Sequence, residues 1–288
     1  SDPVPKQSVL ESLSRDDFRI HPDSPDFMAN AFDRVGEPLN LLENGQAWFK
    51  DIYLKHLGEA PAHALVLGVT PWLGRLAAAG HQHAWLSDRS QAMLAWAKAR
   101  LSPVPANCQL LQADWLNVET PPLNTVLGDN SFAFVPYPQG WETLCRRLHQ
   151  SCQPGARLYL RFFSVPENFQ PASTAELVFQ ALQHDKINYT AFRAAYLFSN
   201  WNAQTCAIDT GRTLQRFERE LGAFIPLVEK FGLPPDNDLV TLRKYAGTGI
   251  SLHAPPLGDI VRLIGRHFRV CEVAFGPTVM SSHFPLLV

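Results

Sequence analysis

The spacing of apolar positions changes along the chain, and each change predicts a change of element. Between residues 37 and 58, Leu41, Leu42, Trp48, Phe49, Ile52, Tyr53 and Leu57 recur at roughly helical spacing, and Gly58 follows as a stop. After that the apolar runs shorten. Residues 63–68 (HALVLG) read as a buried strand ending in glycine, and residues 71–79 as a helix that stops at Gly80. Residues 83–87 predict a second strand, closed by Asp88. Residues 90–101 predict a helix with Met93, Leu94, Ala97 and Leu101 on one face. A third strand is expected at 108–112 and a fourth at 124–127, followed by Gly128-Asp129. Residues 141–152 read as helical, and Pro154-Gly155 turns the chain into a fifth strand at 157–163.

Short apolar runs alternating with helices of this length imply βαβ units and a parallel sheet. From about 165 to 250 the strand rhythm stops. The segments 173–197 and 212–231 each read as a helix, 257–268 as another, and 270–275 with 283–288 as a closing β-hairpin. Residues 1–30, polar and rich in Pro and Asp, read as a surface arm with one short helix. The expected organisation is an N-terminal arm and helix (1–58), a sheet domain in two pieces (59–165 and 251–288) and a helical insertion (166–250). Internal repeats and low-complexity segments are not seen.

Polar residues gather where the predicted strands end, and in an open α/β sheet ligands bind at that edge. Gly68 allows a ligand close to the backbone, and the helix starting at Pro71 aims its amides and positive dipole end at an anionic group. Asp88, at the end of the second strand, is placed to accept both hydroxyls of a ribose. Asp114 is positioned for an exocyclic amine, and its neighbour Trp115 for stacking or walling the pocket.

In order and spacing, these segments resemble the class I S-adenosylmethionine-dependent methyltransferases over roughly residues 60–165. Leu67-Gly-Val-Thr-Pro71 resembles the glycine motif, Leu86-Ser-Asp-Arg-Ser-Gln-Ala-Met-Leu94 the acidic segment, and Gln112-Ala-Asp-Trp115 the adenine-contact segment. Val126-Leu-Gly-Asp-Asn-Ser-Phe132 stands where the family's fourth strand ends beside the transferred methyl. The glycine motif departs from the family pattern. Leu67 replaces the usual acid, and Thr70, Pro71 and Trp72 take the later glycine positions, so the cradle for the methionine end must differ.

The resemblance implies a Rossmann-like α/β fold, a mostly parallel seven-stranded sheet with an antiparallel C-terminal hairpin, and a helical lid formed by the insertion. It implies S-adenosylmethionine as cofactor, held by Gly68, Thr70, Pro71, Asp88, Asp114, Trp115 and Asp129. Tyr196, Asn200 and Trp201 in the insertion are candidates to line the acceptor pocket. Methyl transfer from a sulfonium is an in-line displacement that depends mainly on alignment, so no base need stand out. His253, in the loop 247–256, is the candidate if one is used.

Composition narrows the picture further. Lys+Arg is 25 against Asp+Glu 27, a net charge of −2, so a nucleic-acid partner attracted by overall charge is not expected and a small-molecule acceptor is favoured. No apolar run approaches a membrane span. The first residues lack a leader pattern, so a cytoplasmic protein is expected. Five scattered cysteines without a C-x-x-C pair suggest neither a disulfide framework nor a thiolate metal site, and no histidine motif suggests a metal. Seven Trp and 18 Phe point to an aromatic pocket as well as a core. Two alternatives stand beside the methyltransferase: a regulatory protein that binds S-adenosylmethionine or S-adenosylhomocysteine without catalysis, and a nicotinamide-dependent oxidoreductase. The latter needs Gly-x-Gly-x-x-Gly, which residues 68–73 (GVTPWL) do not supply.

Overall fold

Alternate residues of one short strand face two separate cores. In β1 (His63–Leu67), Ala64 and Val66 join one apolar cluster and Leu65 and Leu67 the other, all at most 1% exposed. The sheet built around β1 is therefore covered on both faces, as a parallel sheet requires. The structure is a computed structural model and describes residues 39–58, 61–232 and 250–288. The arm expected at 1–30, the first two residues of the helix expected at 37–58 and part of the loop 247–256 lie outside the described residues.

Helix α1 (Glu43–His56) precedes β1, and α2 (Pro71–Gly80), β2 (His83–Asp88), α3 (Gln91–Arg100) and β3 (Cys108–Gln112) follow it. Then come β4 (Leu123–Asp129), a short 3₁₀ turn (Ser131–Phe134), α4 (Gln139–Ser151) and β5 (Cys152–Arg161). Further along, α9 (Leu257–Gly265), β9 (Val273–Ala274) and β10 (Leu286–Leu287) complete this part of the chain. The seven strands run in the order β3-β2-β1-β4-β5-β10-β9. Strands β1 to β5 pair in parallel, while β10 is antiparallel to both β5 and β9. This is the mostly parallel sheet with an antiparallel C-terminal pair expected for the class I methyltransferase fold.

One face carries α1 and α2, with Phe49, Tyr53, Leu73 and Ala77 packed on Val66, Leu127 and Tyr159. The other carries α4 and α9, with Trp141, Leu144, Leu148, Ile260 and Leu263 packed on Leu65, Val126 and Leu160. Each such side chain contributes about 1.5–3 kcal/mol when fully buried. Trp141 also fixes the loop after β4. Its Nε1 donates to the Val135 carbonyl at 2.9 Å, and its ring meets Phe132 edge-on at 5.1 Å.

Two compact units divide the described residues: one, with residues 41–58, 61–167 and 253–288, holds the sheet, and the other includes residues 168–232 and 250–252. In the second unit, the helix expected at 173–197 is two helices, α5 (Thr174–Gln183) and α6 (Tyr189–Phe198). Ser173 and Glu176 form a capping box on α5, and the Asn188 side chain accepts from Ala191 N at 2.8 Å to start α6. The helix expected at 212–231 also breaks, into α7 (Thr210–Arg219), a 3₁₀ turn (Leu221–Phe224) and α8 (Ile225–Phe231). A small sheet of β6 (Trp201–Asn202), β7 (Ala207–Asp209) and β8 (Ser251–His253) was not anticipated from the apolar pattern. No helix among the described residues is long and apolar enough to cross a membrane.

Candidate functional site

Gly68 ends β1 with φ +105°, a conformation that side chains disfavour, and its N–H donates to the Ser87 carbonyl at 2.8 Å. The chain then turns into α2. Thr70 is the N-cap, 8% exposed, and its hydroxyl makes no capping bond; Pro71 takes the first helical position. Trp72 follows, edge-on to Phe49 at 5.1 Å, and its buried Nε1 has no partner among the described residues.

Asp88 closes the parallel strand beside β1. Its Oδ1 accepts from Ser90 N at 2.7 Å, while the Ser90 hydroxyl accepts from Met93 N to cap α3. Burial pushes the Asp88 carboxyl above the usual Asp range, against the Ser90 amide and the Arg89 charge that pull it down. A carboxyl in this state gains from new donors, because hydrogen bonds to a half-buried anion are strong. Ser87, fully buried, donates its hydroxyl to the Val66 carbonyl at 3.0 Å.

The loop after β3 brings Asp114 and Trp115 to the same edge. Asp114 is exposed and caps its own turn, accepting from Leu116 N at 3.0 Å and, through its carbonyl, from Asn117 N at 2.9 Å. Trp115 donates Nε1 to the Ser87 carbonyl at 2.9 Å, and its Cζ2 lies 3.9 Å from the point where a Cβ on Gly68 would stand. At the end of β4, Asp129 pairs with Arg161 at 2.8 Å, and the next turn is anchored by the Ser131 hydroxyl, which donates to the Leu67 carbonyl at 2.5 Å.

The structure thus brings Gly68, Thr70, Pro71, Asp88 and Trp115 to the ends of β1, β2 and β3, with Asp114 on the rim. Asp129 lies at the end of β4 and is engaged by Arg161. Sequence reasoning missed Ser87 and Arg161. Ser87 sits inside an apolar strand and acts through its backbone carbonyl, and Arg161 is only one residue of the expected fifth strand. The partnership of Arg161 was legible only from the register, in which Asp129 faces Arg161.

His253 accepts from Tyr137 N at Nδ1, 3.4 Å away, and burial holds its imidazole below the ordinary range. A neutral ring accepting at Nδ1 carries its proton on Nε2, so in this arrangement His253 offers a donor. Tyr196, Asn200 and Trp201 lie in the second unit. The Tyr196 hydroxyl donates to Glu220 at 3.0 Å, the Asn200 amide donates to the Tyr196 carbonyl at 2.8 Å, and Trp201 meets Phe169 edge-on at 5.6 Å.

A groove of about 410 Å³ is lined by Tyr137, Pro138, Asp259, Arg262, Leu263 and Arg266, and shares no residue with the strand-end cluster. Its arginines are both paired, Arg262 with Asp259 and Arg266 with Glu142. Among the described residues, no group of three or more His, Cys, Asp or Glu side chains is placed to hold a metal ion.

An adenosine-bearing cofactor with an amino-acid tail fits the donors and acceptors at the strand ends. The second oxygen of Asp88 has no partner among the described residues and suits a ribose diol, and the uncommitted Thr70 hydroxyl stands at the start of α2 for the anionic tail. The face of Gly68 is where this fit is tightest, because Trp115 already lies against it.

No protein-family model matches the sequence, and neither does any curated protein. Solved structures do match in fold. One from Rhodobacter sphaeroides, named for zinc-dependent alcohol dehydrogenases, aligns over 91% of this chain and 96% of its own at 12% identity, with a TM-score of 0.53. The N-methyltransferase NodS from Bradyrhizobium japonicum WM9, in complex with S-adenosyl-L-homocysteine, aligns over 98% and 95% at 10% identity, with a TM-score of 0.47. An O-methyltransferase family 2 protein from Planctomyces limnophilus DSM 3776, in complex with apigenin, aligns over 98% and 64% at 15% identity, with a TM-score of 0.48. At these identities the likeness is one of fold.

Proposed function

We propose that this chain is an S-adenosylmethionine-dependent methyltransferase acting on a small-molecule acceptor. The observation that carries the proposal is Asp88: a half-buried carboxyl at the end of β2, held above its usual range, with one oxygen uncommitted among the described residues. Two hydroxyls of a ribose are the donors such a group lacks. Gly68, Thr70 and Pro71 stand where the amino-acid tail of the same ligand would reach the start of α2. Bound S-adenosylmethionine would supply an electrophilic methyl group. The chain's part is to orient cofactor and acceptor and to exclude water. His253 is proposed to donate from Nε2 to a polar atom of the acceptor. Tyr196, Asn200 and Trp201 remain proposed acceptor contacts, although all three have interactions within their own unit.

A second reading, a protein that binds the cofactor without transferring methyl, is favoured by the Asp129–Arg161 pair, which neutralises the acid at the end of β4. Incubation with methyl-labelled S-adenosylmethionine and a panel of small phenols, amines and carboxylates separates the two. Transfer of label to any acceptor, lost in Asp88→Ala, supports the enzyme. Binding of S-adenosylhomocysteine with no transfer to any of them supports the second reading.

A further inference from the structure

Trp115 stands out because it touches two parts of the strand-end cluster at once. Its Nε1 and the Gly68 amide both donate to one acceptor, the Ser87 carbonyl, at 2.9 and 2.8 Å. A carbonyl oxygen has two lone pairs, so both are committed. The indole edge meanwhile rests against Gly68, at van der Waals distance from the point a Cβ would occupy. Ser87 adjoins Asp88, so their Cα atoms lie about 3.8 Å apart. The indole therefore touches both the glycine turn and the residue that precedes Asp88.

Resting on the function proposed above, the geometry points to Trp115 as a closing side chain: in this arrangement its indole lies on the glycine turn, and a ligand reaching from Gly68 to Asp88 must displace it. The surroundings suit such a movement. Trp115 sits in a turn held by local bonds, Asp114 Oδ1 to Leu116 N and the Asp114 carbonyl to Asn117 N, and the residue before that turn is tied to β2 by Ala113 N to the Asp88 carbonyl at 3.1 Å. The indole leaves by breaking one hydrogen bond to a carbonyl and giving up its packing at the edge of the core under α4 and α9, while the loop keeps its backbone anchors. Once displaced, it frees one lone pair of Ser87 for a ligand donor.

The test is a calorimetric titration of the full chain with adenosine, S-adenosylmethionine and S-adenosylhomocysteine, comparing wild type with Trp115→Ala, Trp115→Phe and Asp88→Asn. Removal of the closing side chain should tighten binding about tenfold in Trp115→Ala, equivalent to about 1.4 kcal/mol. Trp115→Phe keeps a ring over Gly68 and loses the Nε1 bond, so it should fall between the two. Tryptophan emission should change on titration of wild type, and Trp115→Phe should lack that change. Equal or weaker binding in both Trp115 variants, with circular dichroism matching wild type, overturns the closure. That result leaves the function standing wherever wild type binds and Asp88→Asn weakens binding. An absence of binding in every protein, Trp115→Ala included, overturns both.

Discussion

Asp129 and Arg161 face each other across the parallel strands β4 and β5 and form an ion pair of 2.8 Å, with side chains 5% and 1% exposed. The Arg161 guanidinium also lies 4.8 Å from the centre of the Phe284 ring, so the pair ties the end of β4 to β5 and to the segment leading into β10. Burying two charges is costly, and the attraction offsets the cost only while both are present. Asp129→Asn and Arg161→Met alone should each lower the unfolding free energy by about 3–5 kcal/mol. The double variant should lose much less than the sum. Urea unfolding of the four proteins checks this, and additive losses would contradict it.

Asp88 should behave in the opposite way. Its carboxyl is raised in the folded chain by burial, so its contribution to stability is complete below the ordinary Asp pKa and is lost as pH rises through the raised value. At pH 7 the ionised group is therefore a cost. Asp88→Asn keeps an oxygen for Ser90 N and removes the charge. Its unfolding free energy should exceed that of wild type at pH 7, and the gap should close as pH falls towards 3. A less stable variant at pH 7 would contradict this.

The second unit depends on a shared polar cluster. Glu220 accepts from Thr174 at 2.5 Å and Tyr196 at 3.0 Å, and Arg216 reaches Glu220, Asn200, Ser199 and Thr174 while lying 5.0 Å over the Tyr196 ring. Burial alone would raise the Glu220 carboxyl, but the two hydroxyl bonds and Arg216 hold it below its usual range. That contribution is present above the ordinary Glu pKa and is lost as pH falls through the lowered value. Tyr196→Phe keeps the ring and should cost about 1.5–3 kcal/mol, the usual worth of a hydrogen bond to a charged group. Unfolding that matches wild type would contradict the assignment of Tyr196 to this cluster.

The first four strands were legible because each is a short apolar run with Gly or Asp at or just after its end, whereas β5 starts at Cys152 and runs through Pro154-Gly155, where a turn was expected, and β9 and β10 keep only two residues each of the expected hairpin. His63 to Gly68 and Cys108 to Gln112 differ from the observed strands by one residue at most. The helices of the second unit were not resolved as separate elements because the apolar period runs through their breaks: Ile187 and Tyr189 continue the stripe although Asn188 starts a new helix. The small sheet was missed because its strands have two or three residues, too few to show a period. At the site, chain order placed Gly68 and Asp88 at neighbouring strand ends. What Trp115 and Arg161 do there depends on side-chain direction and strand register, which spacing along one chain does not record.

Three histidines make the chain sensitive to mild acid. Burial lowers the imidazoles of His81, His253 and His283 below their ordinary range, although the Ala77 and Ser164 carbonyls pull His81 and His283 back up. Stability from such groups is present above the ordinary His pKa of about 6.5 and is lost as pH falls below it. Unfolding free energy should therefore drop between pH 7.5 and 5.5. His81→Gln, which gives up the bond to the Thr125 hydroxyl at 2.7 Å, should be less stable at pH 7.5 and lose less on acidification. A wild-type stability that is flat over this interval would contradict the prediction.

The central claim is that the ends of β1 and β2 form a nucleoside site read by Asp88. The most direct measurement is isothermal titration of S-adenosylhomocysteine into wild type and Asp88→Ala, with NADH as the competing dinucleotide. Saturable binding to wild type, weakened about 10- to 100-fold by loss of the carboxylate's hydrogen bonds and absent for NADH, is the expected result. Equal binding by Asp88→Ala, or binding of NADH in preference to S-adenosylhomocysteine, would contradict it.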